Sequence, residues 1–129
     1  MYILGDIGNS EIKIYLVSSK KKIIKRISFS TNNINYNVLK NRINRLTKNF
    51  DNIKKILFCS VVPEIYFLIK KFFKKKTKIR CYEVKELNLK SIINIDVNFK
   101  QVGSDRITNA ISVINNKENF IILDFGTAT

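Results

Sequence analysis

Histidine is absent from this 129-residue chain, and acidic residues, glycine, cysteine and proline are scarce. Without histidine, Ser-His-Asp and Cys-His catalysis are excluded, and proton transfer falls to carboxylates, lysines, tyrosines or thiols. The two cysteines, Cys59 and Cys81, each sit in an apolar strand-like run. They read as buried free thiols of a reducing compartment, not as a disulfide or a metal pair. No run of 18 or more apolar residues occurs, so no transmembrane helix is expected. The start, Met1-Tyr2-Ile3-Leu4-Gly5-Asp6, lacks the basic leader of a signal peptide. A cytoplasmic protein with no membrane partner is the expectation.

Ten acidic residues stand against 24 basic ones, a net charge of +14. Such a field suits nucleic acid, a membrane surface or anionic small molecules. Lys, Asn and Ile are used heavily throughout, and Lys20-Lys21-Lys22 and Lys74-Lys75-Lys76 fall at expected element ends. The excess is therefore read as compositional rather than as a nucleic-acid handle.

The four glycines are Gly5, Gly8, Gly103 and Gly126. Two belong to Gly5-Asp6-Ile7-Gly8-Asn9-Ser10, which follows the apolar Tyr2-Ile3-Leu4. Another belongs to Asp124-Phe125-Gly126-Thr127-Ala128, which follows Phe120-Ile121-Ile122-Leu123. Both copies read apolar strand, Asp, any residue, Gly, then small residues. Glycine permits backbone conformations and close approaches that other residues resist.

Periodicity predicts strands over 2–6, 11–18 and 22–29 as an antiparallel meander, with Ile12, Ile14 and Leu16 on one face of the second. Tyr36, Leu39, Ile43, Leu46 and Phe50 mark a helix over roughly 35–49. A strand follows over 53–60, then a helix opened by Pro63 with Ile65, Leu68, Ile69, Phe72 and Phe73 on its face. Ile79 to Val84 is a strand, residues 85–102 are a loop, and Ser104 or Asp105 opens a helix bearing Ile107, Ala110, Ile111 and Ile114. Phe120 to Leu123 is the last strand expected. This order predicts a mixed sheet with helices on both faces, the pattern of a ribonuclease H-like domain. It also divides the chain into residues 1–117, one domain with elements βββαβαβα, and 118–129, the first strand and turn of a missing second domain.

The Asp6-Ile7-Gly8-Asn9-Ser10 turn can offer backbone N–H groups and side-chain donors to phosphate oxygens. Asp6 can orient a magnesium ion through its waters. An ordinary hairpin with an Asp-initiated turn is the alternative. Two such turns facing each other could clamp a nucleotide, and no Walker or G-x-G-x-x-G loop is present. In Val102-Gly103-Ser104-Asp105-Arg106, a helix N-terminus attracts anions, Asp105 could take a proton from a hydroxyl, and Arg106 could hold a carboxylate or phosphate. A plain helix cap at Ser104 or Asp105 is the rival reading.

Four motifs together, Asp6-Ile7-Gly8-Asn9-Ser10, Ser60-Val61-Val62-Pro63, Gly103-Ser104-Asp105-Arg106-Ile107 with Asn109-Ala110, and Asp124-Phe125-Gly126-Thr127-Ala128-Thr129, resemble the N-terminal half of a type III pantothenate kinase. That family belongs to the actin-like ATPase and sugar kinase superfamily. The resemblance implies that Asp6, Ile7, Gly8, Asn9, Ser10, Glu11, Ile12, Lys13 and Thr127 bind ATP. It implies that Gly103, Ser104, Asp105 and Arg106 bind pantothenate, with Asp105 as proton acceptor. Asp124 would ligate a monovalent cation, K+ or NH4+, and Asp6 would hold Mg2+ through water. The activity implied is phosphorylation of pantothenate to 4′-phosphopantothenate, the first step of coenzyme A biosynthesis, in a cytoplasmic homodimer. This chain departs from the family at Ser10, where Thr is usual, at Ser104, where Ala is usual, and at Asn98-Phe99, where Asn-Pro is common. With half a cleft, the isolated chain is expected to be inactive. The rival is a non-catalytic regulatory or nucleic-acid-binding domain, which basic residues gathered on one face would favour.

Overall fold

The computed structural model describes residues 1–115 and 118–124. Strands β1 (Tyr2–Ile7), β2 (Glu11–Val17) and β3 (Ile23–Ser30) precede helix α1 (Tyr36–Leu46). Strand β4 (Lys55–Ser60), helix α2 (Pro63–Lys76), the short strand β5 (Cys81–Glu83), a 3-10 turn at Val84–Glu86 and helix α3 (Ser104–Val113) follow. The five strands form one mixed sheet in the order β3-β2-β1-β4-β5. β1 pairs antiparallel with β2 and parallel with β4, so the sheet changes direction at its central strand.

Alternation sets the two faces. Ile3 and Ile7 of β1, Ile12, Ile14 and Leu16 of β2, and Ile56 and Phe58 of β4 lie beneath α1 and α2 with Leu39, Ile43, Ile69, Phe72 and Phe73. Gly5 falls in the same row as Ile3 and Ile7, and a Cβ there would meet Phe58 Cε1 at 2.1 Å. Gly5 therefore serves the core by admitting the Phe58 ring. The opposite face carries Leu57 and Cys59 under α3, around the smaller cluster of Val84, Leu89 and Ile107.

Helix ends follow local chemistry. The Asn35 side chain caps α1 by accepting from Val38 N. That helix stops at Leu46, short of the expected 49, because Thr47 turns extended while its N–H still reaches Ile43 O; Phe50 is buried from the following loop. Pro63 occupies the first turn of α2, and Lys74, Lys75 and Lys76 its last.

One expected element is missing. Phe120–Leu123 is not a strand: those residues are exposed, Ile121 by 91%, and pair with neither edge of the sheet. A strand is defined by its ladder, and apolar β-prone sequence without a partner strand has nothing to pair with. The turn proposed after it, from Phe125 onward, lies outside the described residues.

Candidate active site

The parallel pairing of β1 and β4 puts both carboxyl ends at one edge of the sheet, where open α/β sheets hold their ligands. Asp6 is the register partner of Cys59, and Ile7 of Ser60. Side chains of Asp6 and Cys59 share the α3 face, and Cys59 Sγ donates to Asp6 Oδ1 at 3.3 Å. Burial first, then the Asp6 charge and hydrogen bond, push the Cys59 thiol up to about 12, with a further push from Asp105. The thiol is thus a persistent donor to the carboxylate, and it is free, as the sequence suggested, but only half-buried.

The turn after β1 is closed by Gly8 N donating to Glu11 O at 3.0 Å. A Cβ at Gly8 would approach that oxygen to 3.3 Å. No glycine among the described residues has positive φ, so the value of Gly8 is close approach, not a left-handed backbone. Thr31, buried at the end of β3, fixes the turn from the side. Its hydroxyl donates to Gly8 O at 2.9 Å and its N–H to Ser10 O at 3.0 Å. Asn9, Ser10, Glu11 and Lys13 are exposed around this turn, Ile12 is buried beneath it, and Lys13 pairs with Glu11 at 3.5 Å.

Helix α3 brings the second motif to the same edge. Its N-cap is Gly103, not Ser104 or Asp105. Ser104 is buried and its hydroxyl donates to Ser60 O at 3.2 Å, tying the helix start to the end of β4. Asp105 Oδ1 accepts from Arg106 N at 2.8 Å. A Cβ at residue 103 would sit 2.2 Å from that Oδ1, so glycine there makes room for the folded-back carboxylate. The Arg106 side chain is exposed. One turn on, Thr108 hydrogen-bonds Ser104 O and influences the Cys59 thiol. Asn109 Nδ2 donates to Asp124 Oδ2 at 3.1 Å, which places Asp124 beside α3.

Asp6, Asp105 and the Gly8 turn are therefore brought to one edge, with Asp124 tethered to the neighbouring helix. Thr127 lies outside the described residues. Among the described residues no group of three His, Cys, Asp or Glu side chains could hold a metal. A lone carboxylate such as Asp6 fits magnesium only as a water-mediated partner alongside phosphate oxygens, the usual habit of that ion. The sequence reading missed Thr31 and the Cys59–Asp6 hydrogen bond. Both depend on strand register: a polar residue just past β3 and a thiol opposite Asp6 become meaningful only once the pairing is known.

A family model for type III pantothenate kinase matches residues 2–129. The chain belongs to the type III pantothenate kinase family. It is 57% identical over 129 residues to a type III pantothenate kinase of Pelagibacter ubique (strain HTCC1062), covering all of this chain and 52% of that relative. A type III pantothenate kinase of Ehrlichia canis (strain Jake) is 34% identical over 138 residues, with 100% and 52% covered. Another from Petrotoga mobilis is 32% identical over 133 residues, with 99% and 52% covered. The chain spans about half the length of these curated relatives.

Proposed function

We propose that this chain forms the N-terminal, ribonuclease H-like half of a type III pantothenate kinase, and that a second, similar domain completes the cleft. The reaction is transfer of the ATP γ-phosphoryl group to the primary hydroxyl of pantothenate, giving 4′-phosphopantothenate. The observation that carries this reading is the docking of α3 onto the end of β4 through Ser104 and Ser60, which sets the Asp105 carboxylate on the same edge as Asp6 and the Gly8 turn. Family membership supports the substrate.

In this reading the stretch from Asp6 to Lys13 forms the ATP phosphate site, with the exposed Asn9, Ser10 and Lys13 facing the phosphates. Gly8 and Glu11 close the turn, and the buried Ile7 and Ile12 hold it on the sheet; Thr127 contributes from the second turn. Gly103 and Arg106 hold pantothenate, Ser104 contributes by fixing the start of α3 on Ser60 O, and Asp105 accepts the hydroxyl proton as the oxygen attacks. Asp6 is the residue that would hold magnesium, through water, and the ion would supply charge neutralisation on the phosphates. Asp124, tethered to α3 by Asn109, would hold a monovalent cation, K+ or NH4+. Catalysis of this kind is mostly positioning and electrostatics. The half-chain offers one wall of such a site, so activity belongs to the protein that contains both halves, which in this reading assembles as a homodimer in the cytoplasm.

The test is Asp105→Asn in the protein containing both halves. Turnover should fall by about three orders of magnitude or more, while the dissociation constant for ATP stays within about twofold. Near-normal turnover would remove Asp105 from the role of base. In a coupled assay the 129-residue chain alone should show no pantothenate-dependent ATP consumption.

A further inference from the structure

The lysine clusters that look scattered along the sequence converge in three dimensions. β1 and β4 begin at the end of the sheet opposite the candidate site, and β2 finishes there. Lys20-Lys21-Lys22 form the β2–β3 turn at this end, Lys54 and Lys55 lead into β4, and Lys74-Lys75-Lys76 close α2, followed by Lys78 and Arg80 before β5. Arg45 and Lys48 at the end of α1 line a groove with Lys25. All of these are exposed, and Asp51 is the carboxylate of this end. Asp6, Glu11, Glu64 and Asp105 sit at the other.

Ordinary structural needs explain only part of this. Cations at the last turns of α1 and α2 complement the helix dipole. The β2–β3 turn and the starts of β4 and β5 have no such dipole. Among the described residues, only Lys13 and Lys70 form ion pairs, and neither belongs to these clusters. Lys21 holds φ 60° in a turn fixed by Lys21 N to Ser18 O and Ser18 N to Lys22 O, a conformation glycine would take at less cost. Like charges crowded without counter-charges repel one another, and a polyanion relieves that repulsion.

We propose that this pole is a docking surface for single-stranded nucleic acid, bound through its phosphates. Five strands about 4.8 Å apart set the outer clusters about 19 Å from each other, a row that a linear polyanion can follow. Grooves of about 560 Å³ beside Lys25 and Lys48 and about 250 Å³ beside Lys74, Lys78 and Arg80 break the surface. A bilayer would want a flat apolar surface, and Ile23 and Ile24, on one flank, are the exposed large apolar residues within these clusters. The surface lies away from the kinase motifs, so it can act independently of that activity.

Fluorescence anisotropy of a labelled oligouridylate of about 20 nucleotides with this chain, at about 150 mM KCl, tests it. Binding should be in the range of about 1 to 100 μM and weaken as salt rises, as phosphate-backbone binding does. The variant Lys54→Glu/Lys55→Glu/Lys74→Glu/Lys76→Glu should weaken it about tenfold or more and flatten the salt slope by about 0.7 for each phosphate no longer neutralised. Lys40→Glu/Lys100→Glu, charge reversals away from this pole, should change it by less than about twofold. Thermal unfolding of each variant checks that the fold persists. Equal weakening by both variants, after allowing for their number of substitutions, would overturn the proposal, as would no binding by the unaltered chain. Binding to phosphatidylglycerol vesicles but not to the oligonucleotide would overturn it in favour of a membrane surface.

Discussion

The two faces of the sheet are built to different standards. Under α1 and α2 a continuous cluster runs from Ile3 to Cys81 and includes three fully buried phenylalanines, Phe58, Phe72 and Phe73. Under α3 the fully enclosed set is Val84, Leu89 and Ile107, with Ile111, Val102 and Phe99 only partly covered. The candidate site uses the second face: Asp6, Cys59 and Asp105 all point there. The fold is thus anchored on the face away from the candidate site, while the face that carries the candidate site is left loosely covered. Such division fits a domain whose site must admit ligands, because low local stability is where closure and exchange become possible.

The contrast predicts unequal penalties. Phe58→Ala should cost about 3–5 kcal/mol in denaturant unfolding, as truncation of a buried aromatic does. Its ring fills the notch left by Gly5, so Gly5→Ala in the native sequence should also destabilise, and the penalty should shrink in the Phe58→Ala background. A fully additive double mutant would show that the ring and the glycine are not coupled.

The thiols report on the two faces separately. Burial pushes both Cys59 and Cys81 up to about 12, against 9.0 for an ordinary thiol. Both therefore stay protonated in the native protein at about pH 8, and a thiolate-requiring reagent should modify them about a thousandfold more slowly than in the unfolded chain. Cys59, half-buried on the α3 face, should react before the buried Cys81. By linkage, stability contributed by these raised values is complete below about pH 9 and declines as pH rises toward about 12. Reaction of Cys81 first would contradict the ranking of the faces. Ile107→Ala comes next, at about 2 kcal/mol, the lower end for such truncations, because its half-exposed neighbours can close over the gap.

Much of this was readable from periodicity. The apolar steps of Leu39, Ile43 and Leu46, and of Ile65, Ile69, Phe72 and Phe73, correctly identified the buried sides of α1 and α2. The alternation of Ile12, Ile14 and Leu16 identified the face of β2 turned to the core. Local signals failed where the outcome depended on a distant partner. Phe120–Leu123 has strand composition but no neighbour to complete a ladder. Ser104 and Asp105 are both good capping residues, yet Gly103 is the cap, because Ser104 is drawn to Ser60 O from another element. The candidate-site motifs were legible because their residues are contiguous. Their supports, Thr31 and Cys59, were not, since each reaches Gly8 or Asp6 across 23 or 53 positions.

The smallest effect expected tests one of those supports on the looser side. Thr31→Val keeps the shape and the backbone bond from residue 31 to Ser10 O, but removes the hydroxyl that donates to Gly8 O. A single neutral hydrogen bond of this kind contributes about 1 kcal/mol, so global unfolding should shift by about that amount. The more telling readout is local. Amide exchange at Gly8, whose N–H closes the turn onto Glu11 O, should quicken by more than the global loss of stability accounts for, whereas amides of β1 bonded to β4 should follow the global change alone. If Gly8 exchange tracks global unfolding in both proteins, the turn is held by the sheet itself. In that case the clamp from Thr31 adds nothing to the preorganisation of the Gly8 turn.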